Sequence, residues 1–600
     1  MNYAVTRTFD LLNQYQEKFP DKPDALAGIE NKKWVTFSSK EYIENSNLLS
    51  YGLLALGIKK GDVVATITNN RPEWNFVDMG IAQVGAIHLP IFTTLDSEGY
   101  KHILTQSRPK VIFLSNASLA VKIEFLKNDL PETSLFTFDK EENFDHWLKI
   151  IESGKQNEAI LKDQVESIKK EILPKDWVTL LYTSGTTDNS KGVMLSHENL
   201  MTNAAAAAEV FNLKPEHKYL SFLPLCHVGE RMANYQTQLT GCSLYYAENI
   251  GTIARDLKDL KPNGFGAVPR ILEKVYDRIM EKAEKLTGLK RWLFFWAMRL
   301  GYKYDPSVTK GFGYNCQLWL ANKLVFSKWR EALGGNVQFI GVGGAMLQEK
   351  IERVFWAAGI KLLNMYGLTE TSPIITINRA KGPLLKVGTV GAPIKDVEVK
   401  IVDDGEIVCR GPNVMLGYYN NETATKEVID SDGWFHTGDI GIFEDGKFLR
   451  ITDRKKEIFK LSNGKYVQPQ TIENKLKESP FIDQCMALGV GEKFASALIS
   501  PNKEALKSWA KTNNINESNV QTLVRLKPVI EFYKTIVDEA NNSFDKDEKL
   551  SRTKLIGDEW TPDTGELSPT LKLKRRVITE KYRNLINEIF LKDERFRFKL

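Results

Sequence analysis

The sequence predicts an α/β protein in layers, with a β-rich segment after the layers and a separate C-terminal region. Three observations carry this. Short β-branched apolar runs alternate with helical patterns through most of the first 400 residues. From about 385 to 452 the texture changes to short strands broken by Gly, Asp and Asn turns. After Asp453 a charged stretch, DRKKEIFK, opens a tail dense in Lys and Glu with helical periodicity.

VVATIT (63–68), KVIFLS (110–115), VTLLYT (178–183) and VQFIGV (337–342) read as buried strands, each followed by a polar or Gly-containing turn. AAAAA at 204–208 is a run of strong helix formers. In LQEKIERVFWAA (347–358), Leu347, Ile351, Val354, Phe355 and Ala358 share one face, and Gly359 is a natural stop. Strand–helix–strand alternation of this kind calls for largely parallel sheets. VEVKIVD, EIVCR and KFLRIT are the strands of the β-rich segment, and the expected boundary divides the chain into 1–452 and 453–600.

With 600 residues, at about 150 per domain, two to four domains or subdomains are expected. Apolar residues make up 42% and charged residues 26%, as in ordinary globular proteins. The net charge of +5 makes no case for nucleic acid. The five cysteines, Cys226, Cys242, Cys316, Cys409 and Cys485, are scattered, which argues against a disulfide framework and fits a reducing compartment. The first residues lack the apolar core of a signal peptide, and no run approaches the ~18 apolar residues of a membrane span. The expected location is cytoplasmic, at most peripheral to a membrane. In 290–303, Trp292, Phe294, Phe295 and Trp296 stand between cations. That pattern suits a membrane interface, and equally a buried helix in a large core. An oligomer is compatible with the sequence.

YTSGTTDNSKGV (Tyr182–Val193) combines hydroxyls, Gly185 and Lys191 after a buried strand, as a phosphate cradle needs, but it lacks Walker A spacing. As a bland alternative it is a Ser/Thr-rich surface loop. GVGGA (Gly341–Ala345) and NMYGLTET (Asn364–Thr371) follow strand candidates, where open α/β sheets bind ligands. Gly343 and Gly344 would let a flat base lie on the backbone, Tyr366 offers a stacking face, and Glu370 is a hard oxygen ligand for Mg2+. Otherwise both are ordinary turns. In WFHTGDIG (Trp434–Gly441), Asp439 can accept from a ribose diol, or serve as a turn acid. SPTLKLKRR (Ser568–Arg576) is either a solvated cationic face or a source of one lysine for a polyphosphate.

Each motif alone is modest; their order is specific. YTSGTT…KG, LPLCHVGER (223–231), GGA…YGLTE, GEIVCRGPNVMLGYY, GWFHTGDIG, a DR pair and a late K-x-x-R-R resemble the motif series of the adenylate-forming superfamily. AVPRILEKVYDRI (267–279), KLSNGKYVQPQTIE (460–473) and SPTLKLKRR narrow the resemblance to AMP-forming long-chain fatty-acid–CoA ligases, from about residue 20 to the end. The resemblance implies a large N-terminal domain of two α/β subdomains plus a β-barrel-like one, then a small mobile α+β domain. It implies ATP, coenzyme A and Mg2+ acting on a long-chain fatty acid.

The resemblance also implies roles. Thr183, Ser184, Gly185, Thr186, Thr187 and Lys191 would hold the β- and γ-phosphates, Thr369 would contact phosphate, and Glu370 would hold Mg2+. Gly343, Gly344, Ala345 and Tyr366 would line the adenine, with Gly367 beside them in the nucleotide site, and Asp439 and Arg454 would hold the ribose. Lys572 would bridge to the α-phosphate, the K-x-x-R-R spacing selecting it over Lys574. Asp453 would be the hinge, the loop around Lys460–Gly464 would arrive for the coenzyme A step, and His227 would close and open the site between steps. Asp188 and Ser190 depart from the family's usual Gly and Pro. Two further readings stand beside this one: a fatty-acyl-AMP or shorter-chain ligase, and a catalytically silent relative.

Overall fold

The structure is a computed structural model describing residues 5–183, 190–380, 383–546, 548–568 and 571–591, without the side chains of Ile250 and Leu591. Two sheets dominate the N-terminal part. The eight-stranded sheet runs in the order Gly417–Tyr418, Gly192–Ser196, Trp177–Tyr182, Ile87–Ile91, Val63–Ile67, Val111–Leu114, Ser134–Thr137, Asp145–His146. Its centre is parallel, and Val63–Ile67 and Ile87–Ile91 are buried throughout, as continuous apolar runs in a two-sided sheet should be. The nine-stranded sheet is parallel across Ser243–Tyr246, Lys218–Ser221, Gly264–Ala267, Phe339–Val342 and Leu362–Gly367, and antiparallel at both ends.

The predicted strands appear within a residue or two, and the predicted helix at 347–358 appears as Glu349–Ala357. Gly192–Ser196 is a strand the sequence reading passed over. It pairs antiparallel with Trp177–Tyr182 and stands between the Ser/Thr-rich segment and the helix His197–Phe211. Ser196 caps that helix with a reciprocal Asn199 box.

The β-rich segment forms an antiparallel sheet of Glu398–Ile401, Glu406–Arg410, Phe435–Glu444 and Phe448–Arg454. The C-terminal part has a three-stranded sheet, Ile482–Leu488, Ala495–Pro501 and Leu550–Leu555, flanked by helices including Pro469–Leu476, Lys503–Thr512 and Lys527–Asn541. Leu506, Ala510, Val529, Tyr533 and Val537 are core residues there, so these helices are built into that fold. Three buried clusters draw on residues up to Leu449 and two on residues from Phe459 onward. Between the two parts, Gln348 donates to the Lys477 carbonyl (3.0 Å), Lys350 to that of Glu478 (2.5 Å), and Arg270 pairs with Asp483.

The segment 290–303 falls on the helix Gly288–Tyr302 and its C-cap Lys303, and the two readings of it divide along its faces. Phe294, Ala297, Met298 and Leu300 are buried, whereas Leu289 and Trp292 are exposed. No helix among the described residues is long and apolar enough to cross a membrane.

Candidate active site

The antiparallel register of Phe435–Glu444 with Phe448–Arg454 sets Asp439 opposite Arg454. Arg454 Nε lies 3.2 Å from Asp439 Oδ1, and Tyr366 donates its hydroxyl to Oδ2 at 2.8 Å. Tyr366 is buried at the end of Leu362–Gly367, so two sheets converge on one carboxylate. Burial lifts Asp439 above the ordinary carboxylate range although Arg454 opposes it. Each carboxylate oxygen has one partner here and a second lone pair.

Glu370 sits in the 3-10 turn Thr369–Thr371, directly beyond the same strand. Tyr418 donates to Glu370 Oε1 at 2.9 Å, and Lys191 Nζ lies 4.7 Å from the centre of the Tyr418 ring. Tyr418 thus links the base of the Ser/Thr-rich connection to Glu370. The motif GYY contains it, but nothing in the sequence marks that tyrosine as the bridge. Thr183 and Lys191 close the base of the connection through a backbone bond of 3.1 Å; Ser184, Gly185, Thr186, Thr187 and Asp188 lie outside the described residues.

Lys572 arrives from the C-terminal part. Its side chain stays exposed to solvent, and desolvation by the protein around it lowers its ammonium to about 8, helped by the Arg454 charge and opposed by Asp439 and Glu370. His227, the N-cap of the helix Val228–Leu239, is lowered to about 4 by burial and by the charge of Lys572. Lys572, Asp439, Arg454, Glu370 and His227 therefore share one electrostatic neighbourhood. The lysine's loop is held firmly: Ser568 Oγ accepts from the Lys572 amide at 3.1 Å. Arg575 bonds Glu457 at 2.9 and 3.1 Å and Glu473 at 2.8 and 2.9 Å. This clamp was absent from the sequence reading, because its two glutamates lie about a hundred residues from the arginine.

Gly343, Gly344 and Ala345 follow Phe339–Val342. Gly344 has φ +86°, a conformation that residues with side chains rarely adopt, irrespective of any base. At Gly367 a Cβ would fall 1.7 Å from the Pro373 carbonyl oxygen, so close backbone approach also requires glycine there. Asp453 is buried and accepts from the amides of Arg454 (2.6 Å) and Gln470 (3.3 Å); desolvation pushes it up to about 7. Lys460 and Gly464 stand on the exposed hairpin of Phe459–Lys460 and Tyr466–Val467, outside the cluster.

No group of three metal-ligating side chains occurs among the described residues. A single oriented carboxylate, Glu370, fits Mg2+, which keeps several waters and takes much of its shell from substrate phosphates.

An acid–arginine pair, a single oriented carboxylate and a lysine from the C-terminal part meet in one place. The profile of the AMP-binding enzymes matches residues 12–419 and that of their C-terminal domain residues 456–594; the chain belongs to this family. A long-chain-fatty-acid–CoA ligase of Mycobacterium bovis is 32% identical over 93% of this chain and 93% of its own length. A peroxisomal long chain acyl-CoA synthetase of Arabidopsis thaliana is 30% identical, covering 93% of this chain and 81% of that one. Among solved structures, an anthranilate CoA ligase with anthranoyl-AMP has a TM-score of 0.70 at 16% identity, covering 96% of this chain and 97% of that one. A Mycobacterium tuberculosis fatty acyl CoA synthetase has a TM-score of 0.60 at 20% identity, covering 97% and 100%. These two share the fold.

Proposed function

We propose that the chain is a long-chain fatty-acid–CoA ligase. The fatty carboxylate attacks the α-phosphorus of ATP; the bond to the β-phosphate oxygen breaks, giving acyl-AMP and pyrophosphate. The coenzyme A thiol then loses its proton and attacks the acyl carbon, and AMP leaves. The carrying observation is the cluster of Lys572 with Asp439, Arg454 and Glu370. Carboxylate and triphosphate are both anionic, so the site must neutralise and align more than deprotonate. In this reading Asp439 and Arg454 orient the ribose, and Tyr366 fixes the Asp439 carboxylate. Lys191 and the residues 183–187 hold phosphate oxygens, and Lys572 meets the charge developing at the α-phosphate. Mg2+ held by Glu370 would neutralise phosphate charge when bound.

His227, neutral at physiological pH, suits a steric gate rather than a proton carrier. Asp453 is the proposed hinge. Its rotation would withdraw Lys572 and bring the Lys460–Gly464 hairpin to the site for the thiol step. Contact with a membrane through 290–303 belongs to the same reading, since the substrate class partitions into bilayers.

The test is release of AMP and pyrophosphate with a panel of acids, with and without coenzyme A, on wild type and Lys572→Ala. Wild type is expected to turn over long chains in a coenzyme A-dependent way. Lys572→Ala is expected to lose about 10²-fold or more in adenylation and to keep thioester formation from supplied acyl-AMP. Pyrophosphate release without thioester would instead indicate an acyl-AMP ligase, a peak at short acids a shorter-chain enzyme, and no turnover with any acid a silent relative. Equal loss of both half-reactions would refute the rotation.

A further inference from the structure

The helix Pro469–Leu476 touches the Asp453 carboxylate, the loop that carries Lys572 and the N-terminal part of the chain. At its start, the Gln470 amide donates to Asp453 at 3.3 Å. In its middle, Glu473 is buried and accepts from Arg575 through both oxygens, at 2.8 and 2.9 Å. Arg575 stands three residues after Lys572. The Ala487 amide also donates to Glu473 at 2.8 Å, so the helix is pinned to the C-terminal sheet. Just past its end, the Lys477 carbonyl accepts from Gln348 at 3.0 Å and the Glu478 carbonyl from Lys350 at 2.5 Å. Carbonyls at a helix C-terminus lack intrahelical partners and carry the negative end of its dipole, so a cation there is favoured.

The other side of this contact is compact in sequence. Gln348 and Lys350 follow closely on Gly343–Ala345. Met346, between them and that turn, has its sulfur 3.4 Å from Asn474 Nδ2 on the same helix. Burial lowers the Lys350 ammonium below the ordinary lysine value, with Glu478 and Asp277 opposing. A second anchor lies beside the first. Arg270, in the first turn of the helix Pro269–Glu284, pairs with Asp483 near the start of Ile482–Leu488, with 19% and 20% of their side chains exposed. A pair so far withdrawn from water is screened less by salt than a surface pair.

We infer that Pro469–Leu476 is a strut and that Arg270 and Lys350 are the positioning residues that lock it, so that Lys572 stays in the site only while Asp483 and the carbonyls past the helix end are engaged. The inference rests on the ligase reading and goes past it, naming what holds the chain in the orientation for the first half-reaction. Rotation about Asp453 has to break both anchors. The Glu473–Arg575 clamp survives, because both its residues lie on the C-terminal side, and it carries the position of the helix to the lysine's loop. The anchors therefore favour adenylation and oppose the thiol step.

Two half-reactions of the full chain test this: ATP–pyrophosphate exchange with hexadecanoate, and thioester formation from supplied hexadecanoyl-AMP and coenzyme A. Arg270→Glu sets two carboxylates against each other and is expected to slow exchange about tenfold or more, with thioester formation at the wild-type rate or faster. Lys350→Met is expected to give a smaller loss of the same one-sided kind. Arg270→Asp with Asp483→Arg is expected to recover exchange to within about twofold of wild type. Equal loss in both half-reactions, or a charge swap that rescues nothing, would overturn the lock. Docking is also read without chemistry. In a Cys316→Ser background, which removes the exposed thiol, Met346→Cys with Asn474→Cys is expected to cross-link within the chain through a short bismaleimide. Adding Arg270→Glu is expected to lower that yield about tenfold. An unchanged yield would overturn the lock as well. Arg270-dependent cross-linking in a chain that shows no exchange with any acid would uphold the lock and refute the ligase reading instead.

Discussion

Two tyrosine–aspartate–arginine triads stand in this chain, one in its core and one in its site. In the core, Tyr235 donates to Asp78 Oδ2 at 2.6 Å and Arg231 to Oδ1 at 2.5 Å. In the site, Tyr366 donates to Asp439 at 2.8 Å and Arg454 sits at 3.2 Å. The surroundings differ. Arg231 is fully buried and also donates to Thr179 (2.5 Å) and Tyr235 (2.8 Å), while His88 meets Asp78 at 2.6 Å and Thr66 at 2.9 Å. Arg454 keeps a third of its side chain exposed and has Lys572 nearby as a second cation. A closed network spends its hydrogen-bonding capacity on itself and joins elements of the N-terminal sheets. An open one leaves capacity for an anion.

The arginines test this most severely. Arg231→Ala would leave Asp78 charged in the core without its arginine, a loss of about 3–5 kcal/mol, read as a large fall in Tm or as insoluble protein. Arg454→Ala is expected to shift Tm by little and to slow adenylation by roughly 10²-fold. Comparable melting of the two variants would break the comparison.

The open triad was legible in the sequence because its aspartate and arginine sit in motifs. Its tyrosine was read only as a stacking face, and the structure adds a hydrogen bond from its hydroxyl to the aspartate. The closed triad was not legible at all, although Arg231 stands four residues after His227 in LPLCHVGER. Its partners, Asp78, His88 and Thr179, come from three other elements: strand register sets His88 opposite Thr179, and the packing of the helix Pro72–Gln83 brings Asp78 to them. Periodicity reveals which face of an element is buried; it does not reveal which polar groups meet inside. The same holds for Tyr418 and for the Arg575 clamp. The sheets were readable because each strand announces itself locally. The hairpin strand Gly192–Ser196 was missed because its short VMLS run merges with the following helix cap.

Opposite pH extremes are expected to act on the closed triad and on the lysine beside the open one. His88 is lowered, chiefly by burial, and is neutral in the fold, so acid protonates it in the unfolded chain first. Stability is therefore expected to fall as pH drops below the ordinary histidine value of about 6.5. Asp78 is held below the ordinary carboxylate range by Arg231 and His88 against desolvation, the largest single influence on it. Its contribution is present above about 3.9 and is lost as pH falls through its lowered value. Lys572 acts as a cation, and its ammonium is lowered to about 8. Adenylation kcat/KM should decline as pH rises through about 8, approaching tenfold per unit, with no loss of fold. Lys572→Arg should abolish that alkaline decline while lowering the plateau, since a guanidinium keeps its charge but not the geometry. An alkaline decline that persists in the arginine variant would assign it to another group.

The smallest and finest distinction lies in the two tyrosine hydroxyls. Tyr235→Phe removes the donor to Asp78 and the acceptor of Arg231 Nε in a place without exposure, so two buried polar atoms are left unmatched. That is expected to cost about 1–3 kcal/mol of stability and nothing in KM for ATP. Tyr366→Phe removes one donor from Asp439, beside a partly exposed arginine that can turn to compensate. Its stability loss is expected near about 1 kcal/mol or less, with KM for ATP raised severalfold because the carboxylate is no longer fixed. Combining each with its arginine variant separates the cases further. Tyr235 and Arg231 touch, so their effects should be strongly non-additive in Tm, whereas Tyr366 and Arg454 should couple in ATP binding. Coupling in Tm alone for both pairs would mean that the site triad, too, is part of the frame.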